Sequence, residues 1–177
     1  TGRGLTELFN LRGEIDIISG TLGKAFGGAI GGFTTGKKEV IALLRQRSRP
    51  YLFSNTLPPA IAAAAIAFFD LMESSSLLIQ QLHQNTSYFK EQITAAGFEL
   101  KPTQSAICAI MLYDAALAQQ FAEMLLEKGI YVVGFSYPVV PQGQARIRVQ
   151  LSAAHAKGHL NRAIEAFVAV GKQLGVI

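Results

Sequence analysis

Apolar positions along this chain recur with two periods, one near two residues and one near four. "EIDIIS" (14–19) is a short, mostly apolar run and predicts a buried strand. A glycine-rich turn follows, and "AIGGFTT" (29–35) predicts a second strand. In "KKEVIALLRQRS" (37–48) the apolar residues at 40, 41, 43 and 44 predict a helix. Pro50 is expected to end it, because the residue before a proline avoids the helical region. "YLFSNTL" (51–57) reads as a loop or a short extended piece. Pro59 suits the first turn of another helix, "AIAAAAIAFFDLM", which is apolar nearly all round and is therefore expected to be buried.

"SSS" (74–76) reads as a joint or a helix cap. Beyond it Leu78, Leu82, Phe89, Ile93 and Ala96 fall at three-to-four-residue steps, and Gly97 stops the helix. After Pro102 the order becomes strand, helix, strand, strand, helix. "AICAIML" (106–112) predicts a buried strand. Asp114 is placed to cap a helix whose stripe is Leu117, Phe121 and Leu125, closed by Gly129. "IYVVGF" (130–135) predicts a strand, and "ARIRVQL" (145–151) alternates strictly. Leu160, Ile164, Phe167, Val168 and Leu174 mark the last helix. The class is α/β throughout, with a boundary expected near 74–100.

Composition narrows the function classes. Half of the 177 residues are hydrophobic and 16% are charged, which excludes a disordered chain. The alanine-rich run 60–69 is too short to span a bilayer, and no basic-then-apolar signal segment opens the sequence. A single cysteine, Cys108, excludes an internal disulfide framework and a cysteine-rich zinc site. Together these features point to a cytoplasmic protein with no membrane partner. The net charge of +4 suits an anionic small molecule. Nucleic acid is disfavoured, because aromatic residues are not interleaved with the basic ones as stacking platforms require. The opening "TGRG" has no initiator Met and runs at once into dense sequence, so the chain is expected to be the C-terminal part of a longer protein.

One lysine, Lys24, stands among six glycines in "SGTLGKAFGGAIGG" (19–32). The phosphate loop G-x-x-x-x-G-K-[ST] fits poorly, because Ile18 occupies the first glycine position and Ala25 stands where the magnesium-binding hydroxyl should be. The spacing of Gly23, Gly27, Gly28, Gly31 and Gly32 does not give the dinucleotide pattern G-x-G-x-x-G either. Two readings remain from the residues alone: a solvated loop lysine, or a covalent anchor for a carbonyl cofactor. The second needs partial desolvation of the amine and a bare backbone beside a flat ring.

The long stretches "DIISGTLGKAFGGAIGGFTTGKKEVIALLRQRSRPYLFSNTLPPAIAAA" and "GIYVVGFSYPVVPQGQARIRVQLSAAH" resemble the alpha-oxoamine synthases, over essentially the whole chain. That resemblance implies the fold-type-I architecture of pyridoxal 5'-phosphate (PLP) transferases, which resembles that of aspartate aminotransferase. Residues 1–75 would form the C-terminal part of the large PLP-binding domain, 76–100 a connecting helix, and 101–177 the small C-terminal α/β domain. Lys24 then matches the Schiff-base lysine, and Thr21 a hydroxyl on the cofactor phosphate. Ser54 and Asn55 match a segment that reaches the phosphate held by a neighbouring subunit, which implies a homodimer with its active site at the interface. Arg148 matches the arginine that binds the substrate carboxylate.

"RQRSRPYLFSN" and "YPVVPQGQARIR" with "QLSAAH" are most similar to the family members that join glycine to acetyl-CoA, a reaction of threonine breakdown. Sister members making 8-amino-7-oxononanoate, 5-aminolevulinate or sphingoid bases are the alternative, and a non-enzymatic basic binding module ranks below them. The family's ring-stacking histidine lies upstream of this chain. So do the aspartate that meets the pyridine nitrogen and the histidine that meets the ring oxygen. The isolated chain is therefore expected to bind PLP weakly or not at all and not to turn over.

Other candidates have plainer readings. Arg45, Arg47 and Arg49 suit a solvated helix C-terminus, with a patch for coenzyme A phosphates as the functional alternative. His155 and His159 have the spacing of H-E-x-x-H, but Ala156 stands where the base should be. Cys108 reads as core, Arg146 as part of a solvated strand face, and Phe135, Tyr137 and Pro138 as either a substrate entrance or a packed turn.

Overall fold

The computed structural model describes residues 2–27 and 30–177, which form two compact units, residues up to Ser76 and Leu77–Ile177. In the first unit the elements are α1 (Leu5–Leu8), β1 (Ile17–Thr21), β2 (Gly32–Gly36), α2 (Lys38–Arg47), α3 (Arg49–Phe53) and α4 (Pro59–Ser74). In the second they are α5 (Leu77–Ala95), β3 (Leu100–Lys101), β4 (Ile107–Tyr113), α6 (Ala115–Glu127), β5 (Val133–Phe135), β6 (Ala145–Gln150) and α7 (Lys157–Gln173). Among the described residues no single helix is long and apolar enough to cross a membrane.

β1 and β2 form an antiparallel hairpin in which Ile17 pairs with Gly36 and Thr21 with Gly32. Both strands begin three residues later than the apolar runs suggest, and β1 is largely exposed. The apolar run at 14–19 therefore marks the approach to the strand, and its burial is not realised within this unit. Ala29, where the second run begins, lies outside the described residues.

Residues 49–53 are helical, so 51–53 continue a helix where the stretch 51–57 is expected to be a loop or a short extended piece. Pro50 occupies the first turn of α3, where its missing N–H is one that no helical partner would accept anyway. The same proline that keeps α2 from continuing thus opens the next helix. α4 begins at Pro59 as expected, but it buries no residue. Its Ile61, Ala65 and Phe68 are half-buried, whereas Ile66 is 64% exposed. A helix that is apolar all round needs neighbours on every side, and this unit supplies them on one.

The second unit has a complete core. Its four-stranded antiparallel sheet has the order β3-β4-β6-β5. Cys108, Ile110 and Leu112 from β4 and Ala145 and Ile147 from β6 meet Phe89 and Ile93 from α5, Phe121 and Leu125 from α6, and Phe167 and Val170 from α7. The strict alternation of β6 thus puts Ala145, Ile147 and Leu151 in the core and leaves Arg148 and Gln150 exposed. Asp114 caps α6, its Oδ1 accepting from the Leu117 N–H at 2.7 Å. Buried Asn85 ties α5 to the loop after β6, its Nδ2 donating to the Ser152 and His155 carbonyls at 2.9 and 2.8 Å.

Candidate functional site

The hairpin fixes where Lys24 begins. Thr21 is the last residue of β1, and the Leu22 N–H donates to the Gly31 carbonyl at 2.9 Å, closing the base of the loop between the strands. Gly31 has φ +86°, and a Cβ there would run into the Leu57 side chain. At Gly32 a Cβ would lie 2.6 Å from the Gly20 carbonyl oxygen. Both positions therefore demand glycine, one for its backbone angle and one for close strand approach. Leu22 is 2% exposed and is the only fully buried hydrophobic of the first unit among the described residues.

Two residues past the lysine, Phe26 stacks against α4, with ring centroids 3.8 Å from Phe68 and 5.1 Å from Phe69. Lys24 is thus strung between two anchors, Leu22 and Phe26. Its own carbonyl accepts from the Gly27 N–H at 2.9 Å, making a tight turn at the lysine. The lysine is exposed, and among the described residues its ammonium makes neither a hydrogen bond nor an ion pair. The Phe26 anchor escapes sequence reading, because Phe26 and Phe68 meet only through tertiary packing.

Thr21 Oγ1 accepts from the Gly23 N–H at 3.1 Å. Its own proton reaches only the Gly31 carbonyl at 3.5 Å, the limit of a hydrogen bond, so it is available to a stronger acceptor. Ser19 and Thr34 add a hydroxyl pair across the strands, 3.2 Å apart. This donor set, a free amine three residues from an uncommitted hydroxyl on bare backbone, fits a carbonyl compound that carries a phosphate.

Ser54 and Asn55 follow α3 and are exposed, Ser54 with extended backbone. No hydrogen bond joins them to Thr21 or Lys24 among the described residues. Arg45, Arg47 and Arg49 are exposed around the junction of α2 and α3, with the Arg49 guanidinium 5.3 Å from the centre of the Phe53 ring.

Arg148 belongs to the second unit. It lies on the sheet face opposite the helices, paired with Ala109 of β4 and Val133 of β5. Its guanidinium stands 5.5 Å from the centre of the Phe135 ring, a cation–π contact that orients the fork without using its hydrogen-bond donors. It opens into a hollow of about 430 Å³. Phe135 is thus half-buried beneath the arginine, whereas Tyr137 is exposed and its bond to Pro138 is cis.

The remaining titratable candidates fall outside both places. Burial pushes the Cys108 thiol above its ordinary value of 9.0, which keeps it protonated and inert in the core. A hydrogen bond to Glu99 holds the Tyr113 phenol above its ordinary value. His155 and His159 accept at Nδ1 from the backbone N–H groups of Ser152 and Ala156. No cluster able to hold a metal occurs among the described residues.

Comparison with known proteins bears on this arrangement. The aminotransferase class I and II family matches residues 2–167. The chain is 57% identical over 176 residues to the 2-amino-3-ketobutyrate coenzyme A ligase of Escherichia coli, covering 99% of this chain and 44% of the relative. It is 51% identical to the mitochondrial ligase of the same name from Mus musculus, covering 100% and 42%. Identity to the 8-amino-7-oxononanoate synthase of Thermosipho melanesiensis is 47%, covering 99% and 45%. A solved structure described as SPT with PLP superimposes with a TM-score of 0.92 at 31% identity, covering 99% of this chain and 45% of that one. The chain thus spans less than half the length of the curated relatives it matches. It belongs to the aminotransferase class I and II family and, within it, sits with the alpha-oxoamine synthases that its lysine segment resembles.

Proposed function

We propose that this chain works as part of a longer PLP-dependent acyltransferase that joins glycine to acetyl-CoA, giving 2-amino-3-ketobutyrate and coenzyme A. The observation that carries the reading is the free amine of Lys24, held in a turn three residues from the uncommitted hydroxyl of Thr21. The ligases of that name, at 57% and 51% identity, support the choice of substrates. The structure described as SPT with PLP supports the cofactor.

When bound, PLP supplies the electron sink for a carbanion at the amino acid's α carbon. Thr21 would donate to its phosphate, and Lys24 would be its covalent anchor. The Lys24 side chain is also placed to act as the base that would take the proton from the glycine α carbon. Arg148 would grip the glycine carboxylate with two parallel hydrogen bonds and so fix the orientation of the amino acid. Ser54 and Asn55 serve the phosphate in a partner subunit, which makes the working form a homodimer, placed here in the cytoplasm and in threonine breakdown.

The test is CoA release by the full-length enzyme with glycine and a panel of acyl-CoA thioesters. Acetyl-CoA is expected to give the highest kcat/KM. A preference for succinyl-CoA or a long acyl chain overturns the reading in favour of a sister synthase, the class that the 47% relative represents.

A further inference from the structure

The open face of the second unit's sheet carries more positive charge than one carboxylate requires. β3 pairs Lys101 with Ala109, and Ala109 pairs in turn with Arg148. Residues in register across a sheet project to the same face, so Lys101 and Arg148 flank the small Ala109 in one row. Two strand spacings put their Cα atoms roughly 10 Å apart, a gap that two long side chains can close over a methyl group. Arg146, two residues before Arg148, lies on the same face, and all three cations line the hollow.

No aspartate or glutamate lines it. None of the three cations makes an ion pair with a carboxylate among the described residues; Arg148 has only the Phe135 ring. The rim adds the hydroxyls of Thr103 and Ser105, 3.0 Å apart. Lys90 holds that rim in place, its Nζ donating to the Thr103 and Ser105 carbonyls at 2.8 and 3.1 Å. Three like charges gathered without a counter-ion repel one another, and an anion in the hollow turns that repulsion into attraction.

The assignment of Arg148 to the substrate carboxylate, on which this inference rests, uses one of the three cations. We propose that Lys101 and Arg146 make the same hollow a site for a phosphoryl group. A phosphate monoester or inorganic phosphate carries about −1.5 to −2 charge and three acceptor oxygens, which matches the guanidinium fork of Arg146 together with the ammonium of Lys101. Inorganic phosphate and the phosphates of coenzyme A share this chemistry.

Calorimetric titration of the full chain at fixed ionic strength tests the proposal, with inorganic phosphate and coenzyme A as separate probes. One saturable phosphate site is expected. Lys101→Gln and Arg146→Gln should each weaken it roughly tenfold or more, the loss of one charge-assisted contact. Ala109→Leu, which fills the gap in the row, should weaken it as well. Loss of coenzyme A affinity in the same variants identifies the nucleotide as the source, whereas an effect on inorganic phosphate alone identifies the free ion. Lys101 is exposed, so its variant should keep the wild-type thermal melt. Absence of saturable binding, or unchanged phosphate affinity in both Lys101→Gln and Arg146→Gln, overturns the proposal. A loss confined to Arg148→Gln also overturns it while leaving the carboxylate assignment intact.

Discussion

The two units of this chain bury their apolar residues to different extents. In Leu77–Ile177 three helices close over one face of a sheet, and Phe89, Phe121 and Phe167 have no solvent exposure. In the first unit Leu22 alone is fully buried among the described hydrophobics, while Phe53 is 76% exposed. The difference does not follow from composition, since α4 is more apolar than any helix of the second unit. It follows from the supply of facing surfaces: a helix with apolar residues on every side is buried only where neighbours exist on every side. One unit is therefore a finished core with three cations on its open sheet face, and the other is a lysine-bearing glycine loop on a platform that exposes its apolar sides.

The largest expected effect tests whether the Lys24 loop carries chemistry at all. In the full-length enzyme Lys24→Ala should lower turnover by at least roughly 10²–10⁴-fold, the worth of a positioned base, and more if the covalent anchor also matters. The thermal melt of the second unit should not move, because Lys24 contributes nothing to its core. Near-normal turnover would remove Lys24 from the mechanism.

Phe121→Ala probes the finished core directly. Truncating a fully buried phenylalanine costs about 3–5 kcal/mol, so chemical denaturation should show the second unit losing much of its stability. Phe53→Ala is the matching change in the first unit and should stay within about 0.5 kcal/mol, as exposed substitutions do. Equal losses would erase the contrast between the units.

Asn85→Ala should cost an intermediate amount, about 1–3 kcal/mol, because it leaves the Ser152 and His155 carbonyls without their donor in a partly buried place. Hydrogen exchange should report faster opening of the loop after β6.

The smallest effect is a pH dependence confined to the second unit. The folded state holds the Cys108 thiol above its ordinary value, mainly by desolvation, so folding favours the protonated form. The stability this contributes is fully present below pH 9.0 and falls as pH rises above it, where the unfolded thiol ionises first. Melting temperatures of the wild type and Cys108→Ala, compared across that range, should converge with rising pH. A constant difference would show that the thiol does not titrate in this way.

Several features were legible in the sequence because their causes are local. Asp114 caps α6 since a short acceptor three residues before a backbone N–H needs nothing distant. β6 shows its two faces because alternation is built into an extended chain. The resemblance to alpha-oxoamine synthases singled out Lys24, Thr21, Ser54, Asn55 and Arg148 as candidates. It could not show that the Thr21 proton is uncommitted or that Arg148 rests on a ring.

The sequence by itself thus determined the order of the longer helices and strands, the α/β class, the family and the bare turn around Lys24. Tertiary structure decided the rest. It made residues 49–53 a helix, which the loop-like composition of that stretch concealed, and it left α4 half-covered. It also placed Phe26 on Phe68 as an anchor beside the lysine, and set Lys101 beside Arg148 across Ala109. Lys101 shows the reason most clearly. Its strand is two residues long, too short for any periodicity, and its meaning comes from register with strands that begin 6 and 44 residues after its own end. Periodicity is a property of neighbouring residues, whereas register and burial depend on which distant surfaces the chain brings together.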